Sequence, residues 1–281
     1  NCGWINVTGG EGKDRSSLGL PGVQQQLLEA LCATGKPVVL VLYGPGVFAL
    51  PWAARHTAAM VQAFMPGAEA GRVVADVLDG TVNPGGHLPF TVPHHIGQLP
   101  IVYNHRMGSG YNTGNDATAS VIFSGGYVDD TDKPLFPFGH GLSYTTFQVS
   151  DFALSSDTLP TDGAIRATCR ITNTGSRAGD QVLQLYYHFS GAHVIRPCMQ
   201  LVGFVRVSLA PGESKQVTFT LQAAQLGYYN EAMDFVVEPG PAELSLGTSS
   251  ADLCGTASFR LTGAPVDLMG RRSYQCAVTV E

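Results

Sequence analysis

Charge is scarce in this sequence. Asp, Glu, Lys and Arg together make up 14% of the residues, and 16 basic side chains face 22 acidic ones, a formal net charge of -6. With no basic stripe, nucleic acid and anionic membrane surfaces are excluded as partners. No apolar run approaches the roughly 18 residues of a membrane-spanning helix. The six cysteines include no CxxC pair and show no Cys/His ligand spacing, which excludes the usual zinc patterns. A GxSxG elbow, a Walker loop and a GxGxxG following a strand are all missing, so hydrolase-elbow and nucleotide readings have no support.

What is present is a long, moderately apolar chain. Its 281 residues are 44% hydrophobic, enough for two domains or one large α/β domain, and 34 glycines with 17 prolines imply many turns. Few charges and a slight acidity suit a neutral ligand. The sequence opens on Asn1 rather than Met and enters the strand-like "GWINV" from Gly3, so the start reads as cut rather than natural. Cys32 lies in a helical run and Cys169 alternates with Ile165, Ala167 and Ile171, so both read as buried thiols. Pairing of Cys254 with Cys276, or of Cys2 with a segment elsewhere, stays open. Asn6 begins an "NVT" glycosylation triplet, a pattern that also arises by chance.

The first part alternates strand and helix signals. "WINV" reads as a short strand. "LPGVQQQLLEALCATGK" reads as a helix, with Pro21 near its start, apolar Val23, Leu27, Leu28 and Leu31, and Gly35 as its stop. "PVVLVLYG" is a β-branched run of the kind buried on both faces, and "AAMVQAFM" repeats it. "GAEAGRVVADVLDG" predicts a second helix, with Glu69 in its first turn, and "GHLPFTV" another strand. Such alternation implies a mainly parallel sheet covered by helices. Residues 94–138 lose periodicity and are too long for an idle connector, so this loop is expected to be functional or mobile. Thereafter "AIRATCRITNTG", "QVLQLYYHFS", "LVGFVRVSL", "KQVTFTLQ", "DFVVEPG" and "AELSLGTS" follow at short spacing with turns between them. That pattern predicts an immunoglobulin-like β-sandwich. The expected fold class is therefore α/β plus all-β: an α/β sandwich domain over 1–146, a β-sandwich over 147–262, and a tail over 263–281 in which "YQCAVTV" offers one more strand.

One carboxylate stands out. Glu11 sits between glycines in "TGGEGKDRSSLGLPGVQ", after an apolar strand and before a helix, where open α/β sheets place their ligands. Read from the residues alone, Gly-Glu-Gly is a weak motif and a solvated loop glutamate is the ordinary reading. Asp14 and Arg15 read as a local ion pair or cap, and the eight histidines, including His94 and His95, show no ligand spacing.

Five ordered segments change that balance: "GGEGKDRSSLGLPGVQ", "GKPVVLVLYGPGVFAL", "VQAFMPGAEAGRVVADVLDGTVNPGGHLPFTVP", "PLFPFGHGLSYTTF" and "RPCMQLVGFVRVSLAPGES". Together they resemble glycoside hydrolase family 3, whose members include β-glucosidases and β-xylosidases. The likeness runs from about Thr8 to about Ser250. It implies an α/β sandwich domain followed by a fibronectin type III-like domain, acting with an N-terminal barrel domain or subunit that is not visible here. The barrel would supply the aspartate nucleophile. "VSDF" superficially resembles that nucleophile motif, but Asp151 falls where the β-sandwich begins and is rejected for the role.

In this family the general acid/base is commonly a glutamate in an "SGEGxDR"-like loop. Glu11 in "GGEGKDR" matches it, with Gly10 in place of the frequent serine. Trp4, Arg15 and Tyr111 are candidate substrate contacts, with Arg106 and Tyr127 on the long loop beside Tyr111; plain packing is the competing reading for the aromatics. The resemblance further implies a β-linked glucoside or oligosaccharide substrate, no cofactor or metal, and a secreted or periplasmic location. A homo-oligomer is left open. β-Xylosidase or α-arabinofuranosidase activity is the alternative within the family, and a non-catalytic carbohydrate-binding or scaffold fragment is the alternative outside it.

Overall fold

The computed structural model describes residues 15–106, 127 and 129–281. The chain divides into two units. The first comprises the described parts of Asn1–Val82 with Thr91–Ile101 and Thr131–Phe136. The second comprises Asn83–Phe90, the described parts of Val102–Asp130, and Pro137–Glu281, so some residues before 147 pack with the strands after it.

In the first unit the order is α1 (Gln24–Cys32), β1 (Val39–Tyr43), α2 (Pro51–His56), β2 (Ala59–Phe64) and α3 (Ala70–Leu78). β1 and β2 pair in parallel, Val39 opposite Ala59 through Tyr43 opposite Phe64, with a register shift at Leu42/Tyr43. A β–α–β order with a parallel pair is what the alternating sequence predicts. Leu28 of α1, Leu42 of β1, Leu50 and Ala53 form the small buried core. Helix α2 was not apparent in the sequence. Pro51 at its first turn suits a helix start, and Ala53 fixes it to the core with no exposed surface.

Two expectations fail here. β1 is not buried on both faces: Val39 and Tyr43, which share one face, are exposed, and Leu42 on the other face is its one buried residue. "GHLPFTV" is not a strand either. Only Val92 bridges, to Phe136, because Pro89 and Pro93 lack the N–H groups a ladder needs. Part of the long loop is firmly tied: Gln98, nearly fully buried, accepts from His94 N at 2.6 Å and donates to Thr131 O at 2.7 Å.

The second unit is β-rich. Its strands are β3 (Phe147–Leu154), β4 (Thr158–Pro160), β5 (Ala164–Asn173), β6 (Gly179–Phe189), β7 (Gln200–Leu209), β8 (Ser214–Gln222), β9 (Tyr228–Tyr229), β10 (Phe235–Val237), β11 (Gly240–Gly247), β12 (Leu253–Thr262), β13 (Val266–Asp267) and β14 (Ala277–Val280). They form a five-stranded sheet in the order β4-β12-β11-β6-β7, a four-stranded sheet β14-β8-β5-β3, and a small sheet β13-β10-β9. The inward residues of β5 (Ile165, Ala167, Cys169, Ile171) meet those of β6, β8 and β11 in one apolar core, as the period-two pattern requires. β12 carries little strand signal in the sequence because of Gly255, Thr256, Ala257 and Ser258; pairing with β11 and β4 holds it. Residues 277–280 do add a strand, antiparallel to β8. Cys169 is buried as expected and Cys32 only partly, while Cys254 and Cys276 are free thiols. Cys276 Sγ instead donates to Thr220 O at 3.3 Å.

Candidate functional site at the carboxyl ends of the parallel strands

Glu11, Trp4 and Tyr111 lie outside the described residues. The described structure begins at Arg15, four residues past Glu11, and shows how that point is held. Arg15 Nη2 donates to Gly19 O at 3.1 Å, and its guanidinium lies over the Phe48 ring, 5.2 Å from the centroid. Ala49 N donates to Leu18 O at 2.9 Å, which clamps residues 15–19 onto the turn that follows β1.

That turn leaves the carboxyl end of β1, the edge where parallel α/β sheets bind ligands. The adjoining end of β2 is reached through Gly44 N, which donates to Phe64 O at 2.9 Å. Phe64 has φ of 53°, a left-handed conformation that non-glycine residues adopt at a cost of about 1–3 kcal/mol, and such strain gathers at functional sites. Two residues before it in the strand, Gln62 keeps a buried Nε2 with no hydrogen-bond partner among the described residues. Nothing in the sequence marks Phe48, whereas a polar amide inside the apolar "AMVQAF" is a signal for Gln62.

Of the other expected residues, Arg106 lies in the second unit, where its backbone bridges to Pro197, and Tyr127 is a partly exposed residue of the same unit. Asp151 occupies a bulge on the edge strand β3, with φ of 57° and an exposed ion pair to Arg170 at 3.6 Å. Among the described residues no group of three His, Cys, Asp or Glu could hold a metal ion. No helix among them is long and apolar enough to cross a membrane.

The family described as Glycosyl hydrolase family 3 C-terminal domain matches residues 3–144, and Fibronectin type III-like domain matches residues 181–250. The chain belongs to glycoside hydrolase family 3. A periplasmic β-glucosidase of Salmonella typhimurium is 40% identical over 242 residues, covering 86% of this chain and 31% of that protein. A β-xylosidase of Formosa agariphila is 39% identical over 261 residues, covering 92% of this chain and 34% of that protein. The crystal structure of a β-glucosidase from Listeria innocua in complex with glucose superposes with a TM-score of 0.86 at 33% identity, over 91% of this chain and 35% of that one. This family 3 chain therefore spans about a third of the length of the relatives it matches. Its α/β domain and fibronectin type III-like β-sandwich are those of the family's C-terminal portion.

Proposed function

We propose that this chain contributes Glu11 as the general acid/base of a retaining β-glycosidase that hydrolyses terminal non-reducing β-D-glucosyl residues. It acts together with a barrel domain or subunit that carries an aspartate nucleophile. The supporting observation is the anchorage of Arg15 to Phe48 at the carboxyl ends of β1 and β2. Four residues extend at most about 14 Å, so Glu11 in "GGEGKDR" is tethered within that reach of the ligand-binding edge.

In a retaining mechanism two carboxyl groups stand about 5–5.5 Å apart. The aspartate attacks the anomeric carbon while Glu11 gives its proton to the leaving oxygen. Glu11, now a carboxylate, then takes a proton from water, which releases the sugar from the aspartate. To start protonated near neutrality, Glu11 needs its pKa raised by an apolar cleft and by the partner carboxylate. The glycines beside it leave room for a sugar, and Trp4 and Tyr111 offer faces for it to stack on.

The test is turnover by the assembled enzyme of a β-glucoside with a poor leaving group. Glu11→Gln should lower kcat by about 10²–10⁴, and by much less with an activated aryl glucoside, whose departure needs no proton. An unchanged rate on the poor leaving group rejects the assignment. Xylosides are the second substrate class to assay, because the Formosa agariphila β-xylosidase is nearly as similar as the Salmonella typhimurium β-glucosidase.

A further inference from the structure

The hairpin of β9 and β10 gathers polar side chains on one face of the small sheet. Tyr228 stands opposite Val236, so Glu238, two residues further along, falls diagonally across on the same face. The buried Tyr228 donates its hydroxyl hydrogen to Glu238 Oε2. Asn230 closes the turn: its carbonyl accepts from Met233 N and its Oδ1 from Asp234 N, each at 3.0 Å. The connection from β6 to β7 packs against this hairpin, with the Arg196 guanidinium 4.5 Å from the centroid of the Tyr228 ring.

Between these pieces lies a cavity of about 200 Å³, lined on its polar side by Tyr228, Asn230, Glu231, Glu238 and His193. All of its lining belongs to the second unit. Pockets for drug-sized molecules hold roughly 300–1,000 Å³, so this one has room for a single small ring. The protein uses its polar groups only in part. Among the described residues Glu238 Oε1 and Asn230 Nδ2 have no partner, while Oε2 and Oδ1 are taken. Buried polar groups are nearly always paired. Yet Arg196 Nε, over the Tyr228 ring, is buried without a partner. So is the hydroxyl of Tyr187, whose ring stacks on Phe189 beside Tyr228.

The donor set narrows the ligand. Two carboxylates repel an anion. A divalent cation lacks its ligands, since no group of three His, Cys, Asp or Glu among the described residues could hold one. An ammonium only donates, so it would leave Asn230 Nδ2 unpaired. Neighbouring hydroxyls on one ring fit both groups, because each hydroxyl donates and accepts. One can give its hydrogen to Glu238 while the next accepts from Asn230 Nδ2. Val194 and Ala232 complete the lining with apolar surface for the C–H face of such a ring.

We propose that this cavity in the fibronectin type III-like domain is a sugar-binding site, holding one pyranose unit through hydrogen bonds from adjacent hydroxyls to Glu238 and Asn230. The unit is either a free monosaccharide or the end of an oligosaccharide. Glu11 takes no part in it.

The experiment titrates the isotopically labelled 281-residue chain with D-glucose and, separately, with a β-linked glucose trisaccharide, following amide shifts by NMR. Saturating shifts should gather at His193, Tyr228, Asn230 and Ala232. Glu238→Gln and Asn230→Asp should each weaken binding about ten-fold or more, as loss of a hydrogen bond to a charged or buried group does. Glu238→Gln still accepts from Tyr228, and Asn230→Asp still accepts from Asp234 N, so both should melt with the wild-type chain. Equal affinity for the two probes supports a site for a single unit; tighter binding of the trisaccharide supports a site for a chain end. No saturable shift with either probe, or wild-type affinity in both variants, overturns the proposal. So does a response of these amides to calcium chloride or methylammonium with none to the sugars. The shifts are read in the second unit and without turnover, so a failure of Glu11 as acid/base leaves this result unchanged.

Discussion

The guanidinium of Arg15 rests 5.2 Å from the centroid of the Phe48 ring, joining the segment after Glu11 to the turn after β1. A cation over an aromatic face contributes about 0.5–1 kcal/mol when exposed and about 2 when desolvated. Phe48→Leu keeps most of the apolar volume and removes the ring's negative face, so the chain should lose little stability. With Glu11 in the proposed acid/base role, turnover by the assembled enzyme should fall about ten- to a hundred-fold, because small displacements of a catalytic group cost that much. Arg15→Lys should behave alike, since an ammonium lacks the planar fork. Unchanged kcat in both variants would remove the anchor from the mechanism.

Gly139 has φ of 82°, and a Cβ there would lie 2.2 Å from Gln184 Oε1. Gln184 is buried and cannot retreat: its Nε2 donates to Thr248 O at 2.7 Å and its Oε1 accepts from Tyr186 at 2.6 Å. Gly139→Ala should therefore destabilise the second unit by more than the ordinary loop substitution, about 2–4 kcal/mol. Urea unfolding followed by tryptophan-independent circular dichroism measures this, and a change under about 0.5 kcal/mol would contradict it.

Asn173 is fully buried and serves four partners. Its Nδ2 donates to Arg177 O at 2.7 Å and Leu209 O at 3.1 Å, while Oδ1 accepts from Thr145 Oγ1 at 2.7 Å and Gly175 N at 3.1 Å. Asn173→Ala strands these groups away from water, a loss of about 1–3 kcal/mol for each one left unsatisfied. Asn173→Asp keeps the two acceptor contacts but puts an acceptor oxygen in place of the donor, facing two carbonyls, so it should be no milder. Thermal midpoints near wild type in both variants would show that water replaces the amide.

Burial pushes the Cys169 thiol up to about 12. The unfolded thiol ionises near 8.5, so above that pH the unfolded chain binds fewer protons than the native one. Stability is then fully present below about pH 8.5 and falls as pH rises towards 12, by about 1.4 kcal/mol per pH unit for this group. Iodoacetamide at pH 8 should leave Cys169 unmodified in the native chain and label it after unfolding. Native labelling at the rate of a free thiol would sink the assignment.

Much of the fold is legible from residue order because the strands obey simple periodicities. β5 alternates apolar and polar side chains, and Ile165, Ala167, Cys169 and Ile171 are all buried. α1 and α3 were likewise readable from helical spacing. The misses have physical causes: α2 is only 6 residues long, β12 is rich in small and polar residues, and the prolines of "GHLPFTV" leave a single bridge where hydrophobicity suggested a strand. At the candidate site, the glycine-flanked motif draws attention to Glu11, which lies outside the described residues, whereas nothing in the sequence marks Phe48. An aromatic in a turn gains meaning only when a distant guanidinium lies over it.

The amino-acid sequence by itself determined the α/β-then-β order, the alternating core of the sandwich and the glutamate in its glycine loop, because local periodicity and motif spacing are written along the chain. Only the tertiary structure decided which loops are clamped together, which apolar residue of α1 is buried, and that Asn173 and Gln184 are hubs of buried hydrogen bonds. Those outcomes depend on contacts between residues far apart in sequence, where burial and partner geometry rather than residue type set the energy.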